Sequence, residues 1–281
     1  MKLLYGKPIA DKILDRLKND IAMQEEKPGL AVILVGDNEA SQMYVSLKEK
    51  TADKIGMVFF RFNFSEDVPE NEIIEHIKKL NNDANVHGII VQLPLPEGFD
   101  TKKIIANIDS KKDADGFFYQ SESISGEDEK GRIWPVFPHA IFKLAKSSDE
   151  KIKEKKAIII ANSNEFGQTM KKVLAGKNIS ASYIISSSVS QNIDKIKEAD
   201  MVISAVGSPG LLTGKMLKDG AIVIDGGIER VGGKVMGDVD FSSIKDKNGF
   251  IAPVPGGVGP LTIAYLLENV YLEFKAQQKD K

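Results

Sequence analysis

Tyr44 and Lys48 stand four residues apart in the run Ala40-Ser41-Gln42-Met43-Tyr44-Val45-Ser46-Leu47-Lys48-Glu49-Lys50, and their types are suited to chemistry. On a helix this spacing places the phenol and the ammonium on one face, about one turn apart. An aromatic ring can stack on a flat substrate, and burial can tune an adjacent amine toward neutrality, so the two could form a catalytic pair. The same spacing also describes an ordinary helix surface. The pair gains meaning only if other parts of the chain supply a pocket for it.

The surrounding elements alternate. Apolar positions Ile9, Ile13, Leu14, Leu17 and Ile21 form a helical stripe over residues 8–24, broken by Pro28-Gly29. Residues 30–36 then read as a buried strand, followed by the helix carrying Tyr44 and Lys48. A strand near 58–64, a helix over about 70–82 and a strand at 88–91 complete the first half, an order that suits a parallel sheet. Its last strand runs into Gln92-Leu93-Pro94-Leu95-Pro96, where two prolines end the pairing and hold an extended segment at the strand's carboxyl end. Ligands of open α/β sheets bind at such ends. Lys112-Asp113-Ala114-Asp115-Gly116-Phe117 reads as an acidic turn, and residues 121–132 as a polar loop or linker.

Past Trp134 a second α/β pattern predicts strands at 157–161, 181–185, 201–205 and 221–224, a nucleotide-binding type of half. Residues 261–274 predict a helix that returns to the first domain. The fold class expected is α/β, with two domains around a cleft: residues 1–134 plus 260–281, and residues 135–259.

Composition narrows the function. With 38 basic and 40 acidic residues the formal net charge is −2, which argues against nucleic acid as a partner. The absence of cysteine removes disulfides, thiolate metal sites and a cysteine nucleophile. His76, His87 and His139 lack metal-ligand spacing, so no metal is expected. No apolar run approaches the roughly 18 residues of a membrane span, and the first residues lack a signal-peptide core. The expectation is a soluble, cytoplasmic protein with no membrane partner.

Taken in order, the Tyr44/Lys48 pair, Val91-Gln92-Leu93-Pro94-Leu95-Pro96, the Lys112 to Phe117 segment and Pro253-Val254-Pro255-Gly256-Gly257-Val258-Gly259-Pro260 resemble the methylenetetrahydrofolate dehydrogenase/cyclohydrolase family. The resemblance covers nearly the whole chain. It implies a folate-binding catalytic domain and a Rossmann-like, doubly wound nucleotide-binding domain. It also implies two reactions: oxidation of methylenetetrahydrofolate with a nicotinamide cofactor, and hydrolysis of the methenyl product to formyltetrahydrofolate. The catalytic set it implies is Tyr44, Lys48, Gln92 and Asp115. Tyr44 would stack on the aminobenzoyl ring. Lys48, with its pKa lowered beside the substrate cation, would accept a proton from water, and Gln92 would be its partner. Asp115 would grip the pterin N–H and amino group as a bidentate pair. Pro255, Gly256, Gly257 and Pro260 would line the substrate site. Asn162, Ser163, Gly167, Ser188, Gly207, Gly227 and Ile228 would hold the cofactor, NADP in the first instance. A homodimer is carried over on the same ground.

This chain departs from the family pattern at two places in the second half. Where the family has Gly-Arg-Ser, it has Ala161-Asn162-Ser163, losing an arginine that helps hold the extra phosphate of NADP, and no basic residue stands in Ser187-Ser188-Val189-Ser190. Serine side chains and a helix N-terminus can still meet a phosphate, more weakly than a guanidinium. No acidic residue ends the 181–185 strand to grip a ribose diol, so NAD is not positively favoured either. At Pro135-Val136-Phe137-Pro138 a phenyl ring replaces the hydroxyl of the family's Pro-Cys-Thr-Pro. Two alternatives therefore stand beside the bifunctional enzyme: a cyclohydrolase with weak or lost dehydrogenase activity, and a non-catalytic folate- or nucleotide-binding protein. The joint presence of Lys48 and Gln92 argues against the latter. A short-chain dehydrogenase, which also uses Tyr-x-x-x-Lys, is disfavoured because here the pair precedes the nucleotide-binding half.

Overall fold

The computed structural model describes residues 1–117, 133–152 and 154–279, so the loop expected at 121–132 lies outside the described residues. In chain order the elements are β1 (Lys2–Leu3), α1 (Lys7–Ala22), β2 (Gly29–Val35), α2 (Glu39–Ile55), β3 (Val58–Phe64), α3 (Glu70–Asn82), β4 (Gly88–Val91) and α4 (Thr101–Ile105). They continue with α5 (Val136–Lys146), β5 (Lys156–Ala161), α6 (Asn164–Ala175), β6 (Ser180–Ile185), α7 (Ile193–Glu198), β7 (Met201–Ala205), β8 (Ile222–Asp225), β9 (Glu229–Val231), β10 (Lys234–Met236), β11 (Phe250–Ala252) and α8 (Val258–Lys279). Among the described residues no helix is long and apolar enough to cross a membrane.

These residues form two compact units. One holds Met1–Ala10 and Phe137–Thr262; the other holds the described residues of 11–122 and 130–136 together with those from Ile263 onward. The second of these contains the parallel sheet β3-β2-β4. Every residue of the central strand β2 is buried, as expected of Gly-Leu-Ala-Val-Ile-Leu-Val covered on both faces. Ile73, Ile77 and Leu80, spaced by turns of α3, pack with Ile33, Val35 and Ile89 in one core.

The other unit is built on a six-stranded sheet of order β1-β11-β8-β7-β5-β6, with every pair parallel. The chain passes from β5 to β6 on one side and returns to β7 on the other, so the strand order reverses between β5 and β7. A crevice at the carboxyl ends of those strands follows from this topology. β9 and β10 form an antiparallel hairpin whose turn residues, Gly232 and Gly233, both have positive φ (57° and 78°).

The N-terminal residues correct one expectation. Grouped by sequence with the first half, Met1–Ala10 belong to the six-stranded unit because β1 pairs with β11, Lys2 with Phe250 and Leu3 with Ile251. A two-residue strand carries no periodic signal; only its distant partner defines it.

Candidate active site

Lys48 is held by the stripe that buries α2. Ser41, Val45, Lys48, Ala52 and Ile55 are the buried positions of this helix, spaced four and three apart, so the lysine occupies a core-facing position between Val45 and Ala52. The helix is fixed at both ends: Asn38 Oδ1 accepts from the Ser41 backbone N–H at 3.0 Å, and Gly56 closes it with φ 80°. Lys48 is only 7% exposed, whereas Tyr44, one turn earlier, is half-buried.

Gln92 comes from the strand next door. It follows β4, where its backbone N–H extends the sheet ladder to Ile33 O at 2.8 Å. Its side-chain N–H donates to Leu93 O at 2.6 Å, which turns the amide oxygen toward Lys48, and Lys48 Nζ donates to that oxygen at 2.9 Å. The same amine lies 5.0 Å from the centroid of the Tyr44 ring. The Leu93–Pro94 peptide bond that follows is cis.

Asp115 completes the group electrostatically. Burial lowers the Lys48 pKa, opposed by the negative charge of Asp115. Burial raises the Asp115 pKa, opposed by Lys48. Both groups thus lean toward their neutral forms, as desolvation demands of an amine and a carboxyl alike. An amine that can be neutral while bonded to Gln92 retains a lone pair for a proton. Within the same acidic segment Lys112 is otherwise employed: its Nζ donates to Leu80 O at 3.0 Å and Asp83 O at 2.8 Å, closing the end of α3. Tyr44, Lys48, Gln92 and Asp115 are therefore brought together in one unit.

The six-stranded unit has its own concave site of about 270 Å³, lined by Phe137, Asn162, Phe166, Ala205, Val206, Gly207, Gly226, Gly227 and Ile228. It lies where the topology places it, at the ends of β5, β7 and β8. Four of the expected cofactor residues, Asn162, Gly207, Gly227 and Ile228, line it. Ser163 caps α6, accepting from Phe166 N at 3.2 Å. Gly167 packs on the Tyr183 ring, where a Cβ would come within 2.4 Å of Cδ2. Ser188 ends a 3₁₀ turn after β6 and accepts from Asn192 Nδ2 through its carbonyl at 2.8 Å. Ser163, Gly167 and Ser188 are not among the lining residues. Phe137 and Phe166 wall one side with ring centroids 5.6 Å apart. A Cβ on Gly226 would come within 2.9 Å of Phe137 Cζ, so that glycine makes room for the phenyl ring.

Two aspartates shape this crevice and were not singled out in the sequence. Asp238, fully buried, accepts from Val206 N (2.9 Å), Gly207 N (2.8 Å), Ser208 N (2.6 Å) and Ser204 Oγ (2.5 Å). Asp225 accepts from the backbone of Gly227, Asp238 and Val239. A Cβ on Gly227 would lie 2.2 Å from the Asp238 carboxyl carbon, so this glycine is required by the carboxylate beneath it.

Pro255, Gly256, Gly257 and Pro260 lie in the six-stranded unit and are tied to its N-terminal segment. Gly6 N donates to Gly256 O at 2.9 Å, and Gly257 N donates to Pro253 O at 2.8 Å. Gly256 has φ 107°, and a Cβ on Gly6 would meet Gly257 O at 2.0 Å. The loop is a tightly held turn that requires glycine at 256 for its backbone conformation and at 6 for the close approach to Gly257.

Residues 4–115 match the model of the tetrahydrofolate dehydrogenase/cyclohydrolase catalytic domain, and residues 135–278 that of the family's NAD(P)-binding domain. The chain belongs to the tetrahydrofolate dehydrogenase/cyclohydrolase family. It is 42% identical to the bifunctional protein FolD of Campylobacter hominis, over 99% of each chain. Among solved structures, FolD of Campylobacter jejuni is 38% identical with a TM-score of 0.89, covering 99% of both chains. The dehydrogenase-cyclohydrolase of Trypanosoma brucei, solved with NADP and an inhibitor, is 30% identical with a TM-score of 0.92, covering 99% of this chain and 98% of that one.

As a dehydrogenase/cyclohydrolase, this chain is a folate-interconverting enzyme that joins a folate catalytic domain to an NAD(P)-binding domain. Its Rossmann-like sheet and its folate half both have the family architecture. The crevice suits a dinucleotide in kind: the glycines at 207, 226 and 227 let the backbone after β7 and β8 come close to a ligand at the carboxyl ends of the sheet.

Proposed function

We propose that this dehydrogenase/cyclohydrolase oxidises methylenetetrahydrofolate to the methenyl cation and hydrolyses that cation to formyltetrahydrofolate, with Tyr44, Lys48, Gln92 and Asp115 as the working set. The buried hydrogen bond from Lys48 to Gln92 carries this reading. A core lysine whose burial disfavours its charge, held by an amide oxygen, is suited to accept a proton from the water that attacks the methenyl carbon. Gln92 fixes the direction of the amine. Tyr44 offers a ring face for the aminobenzoyl group, and Asp115 a carboxyl able to meet the pterin edge with two parallel hydrogen bonds. Pro255, Gly256, Gly257 and Pro260 are assigned to the substrate-lining loop.

The nicotinamide dinucleotide, when bound, supplies the hydride acceptor for the first reaction. Asn162, Gly207, Gly227 and Ile228 would hold it in the crevice, with Ser163, Gly167 and Ser188 assigned to the same role from the family resemblance. NADP is the cofactor proposed. With asparagine at 162 and serines at 186–188, its extra phosphate would be met by hydroxyl and amide groups instead of a guanidinium. A homodimer and a cytoplasmic location belong to the same reading and rest on family membership.

The test is an absorbance assay of the purified protein with methylenetetrahydrofolate and NADP or NAD in parallel, beside a separate hydrolysis assay of methenyltetrahydrofolate. Hydride transfer together with hydrolysis is expected, faster with NADP. Hydrolysis without hydride transfer would overturn the dehydrogenase half of the proposal, and neither activity would overturn both.

A further inference from the structure

We propose that Asn269, on the C-terminal helix α8, is a positioning residue for the folate site: it holds the backbone on either side of Asp115 and so fixes where that carboxyl stands. The inference rests on the assignment of Asp115 to the pterin.

The amide of Asn269 is buried, 4% exposed, and both its hydrogens are used. Nδ2 donates to Ala114 O at 2.9 Å and to Trp134 O at 2.9 Å. Ala114 directly precedes Asp115, and Trp134 lies two residues before Val136, whose N–H donates to Asp115 O at 3.1 Å. One side chain thus cross-ties the two backbone strands that meet at Asp115. Gly116 allows this closeness: its φ is 75°, and a Cβ there would sit 2.7 Å from Trp134 O.

The same face of α8 grips the segment again two turns later. Gln277, eight residues beyond Asn269, donates from Nε2 to Lys111 O at 3.0 Å and to His87 O at 2.9 Å. Between these two contacts the helix lies directly on the start of β4, where a Cβ on Gly88 would meet Val270 Cγ2 at 2.8 Å and Ala114 Cβ at 3.1 Å. The acidic segment is further pinned by the bridge between Asp113 and Ile89. A bidentate carboxyl must be placed to within about half an ångström to be effective. Here that placement comes from backbone contacts supplied by a helix more than 150 residues away in sequence.

The experiment is a double-mutant cycle on the full-length enzyme with Asn269→Ala, Asp115→Ala and the pair, measuring KM for folate, KM for the nicotinamide cofactor and kcat. Gln277→Ala serves as a milder variant at the helix end. Asn269→Ala is expected to raise the folate KM about tenfold while leaving the cofactor KM within about twofold. In the Asp115→Ala background it should add little, because its effect runs through Asp115. Gln277→Ala should raise the folate KM in the same sense by a smaller factor, which keeps the proposal testable if Asn269→Ala does not fold. An unchanged folate KM in both variants would overturn the proposal, as would full additivity with Asp115→Ala or equal losses for both ligands. A wild-type folate KM in Asp115→Ala alone would instead show that the pterin assignment fails.

Discussion

Lys48 donates a hydrogen bond of 2.9 Å to Gln92 from a position on α2 that belongs to the hydrophobic stripe. The chain places an ionisable amine where Val45 and Ala52 on either side mark an apolar site. Burial works against the ammonium, and a single amide oxygen repays only part of the lost hydration. The arrangement weakens the fold locally and makes the amine available for proton transfer, an exchange of stability for chemistry.

Lys48→Met should separate the two. Methionine keeps the unbranched shape and removes the polar head, so the melting temperature is expected to stay equal or rise. Methenyltetrahydrofolate hydrolysis should fall by about 10²- to 10⁴-fold, the usual contribution of a general base, with folate binding nearly intact. Thermal melts beside the hydrolysis assay check this; loss of folate binding alone would contradict the assigned role.

Gln92→Glu tests the electrostatics. A carboxylate in place of the amide oxygen would favour the ammonium form of Lys48 and raise its pKa. Because the base must be neutral to accept a proton, the rising limb of the hydrolysis pH–rate profile should move to higher pH. A profile that stays in place would show that Gln92 does not set the protonation of Lys48.

Asp238→Asn bears on the other unit. The wild-type carboxylate accepts from three consecutive backbone N–H groups and a serine hydroxyl, whereas asparagine offers one oxygen and turns an N–H₂ toward donors. Each buried donor left unsatisfied costs about 1–3 kcal/mol. The turn at Gly207 should loosen, raising the cofactor KM by tenfold or more and lowering the melting temperature. Hydrolysis by a folded variant should be largely kept. Steady-state assays of the two reactions on one preparation distinguish these effects.

Much of this was legible in the sequence because its signals are local. The run from Gly29 to Val35 is apolar enough to declare a buried strand, and the stripe through Leu17 and Ile21 has helical spacing. The Tyr44/Lys48 spacing pointed to a shared helix face, but not to which face; the burial of Lys48 depends on the sheet beneath it. What could not be read is what depends on distant partners. β1 exists only through β11. Asp238 looks like any acidic residue in a turn until four donors converge on it from residues 204–208. Asn269, in an apolar helix, is uninformative until Ala114 and Trp134 supply the carbonyls that its amide ties.

Glu273 gives a prediction about pH. Buried to 4% exposure on α8, it has no hydrogen-bond partner for either side-chain oxygen among the described residues. Its pKa is held well above the ordinary glutamate value of 4.5, first by burial, then by the negative charges of Asp113, Asp115 and Asp109, with Lys112 opposing. A carboxyl that keeps its proton in the folded state and loses it in the unfolded one stabilises fully below about pH 4.5, and that contribution is lost as pH rises through the raised folded value. Glu273→Gln, a neutral near-isostere, should therefore stand in a fixed relation to the wild type below about pH 4.5 and gain on it steadily as the pH is raised above that value. Melting temperatures of both proteins measured from about pH 4 upward through neutral pH check this. Parallel curves with a constant offset would mean that Glu273 does not carry the extra proton in the folded chain.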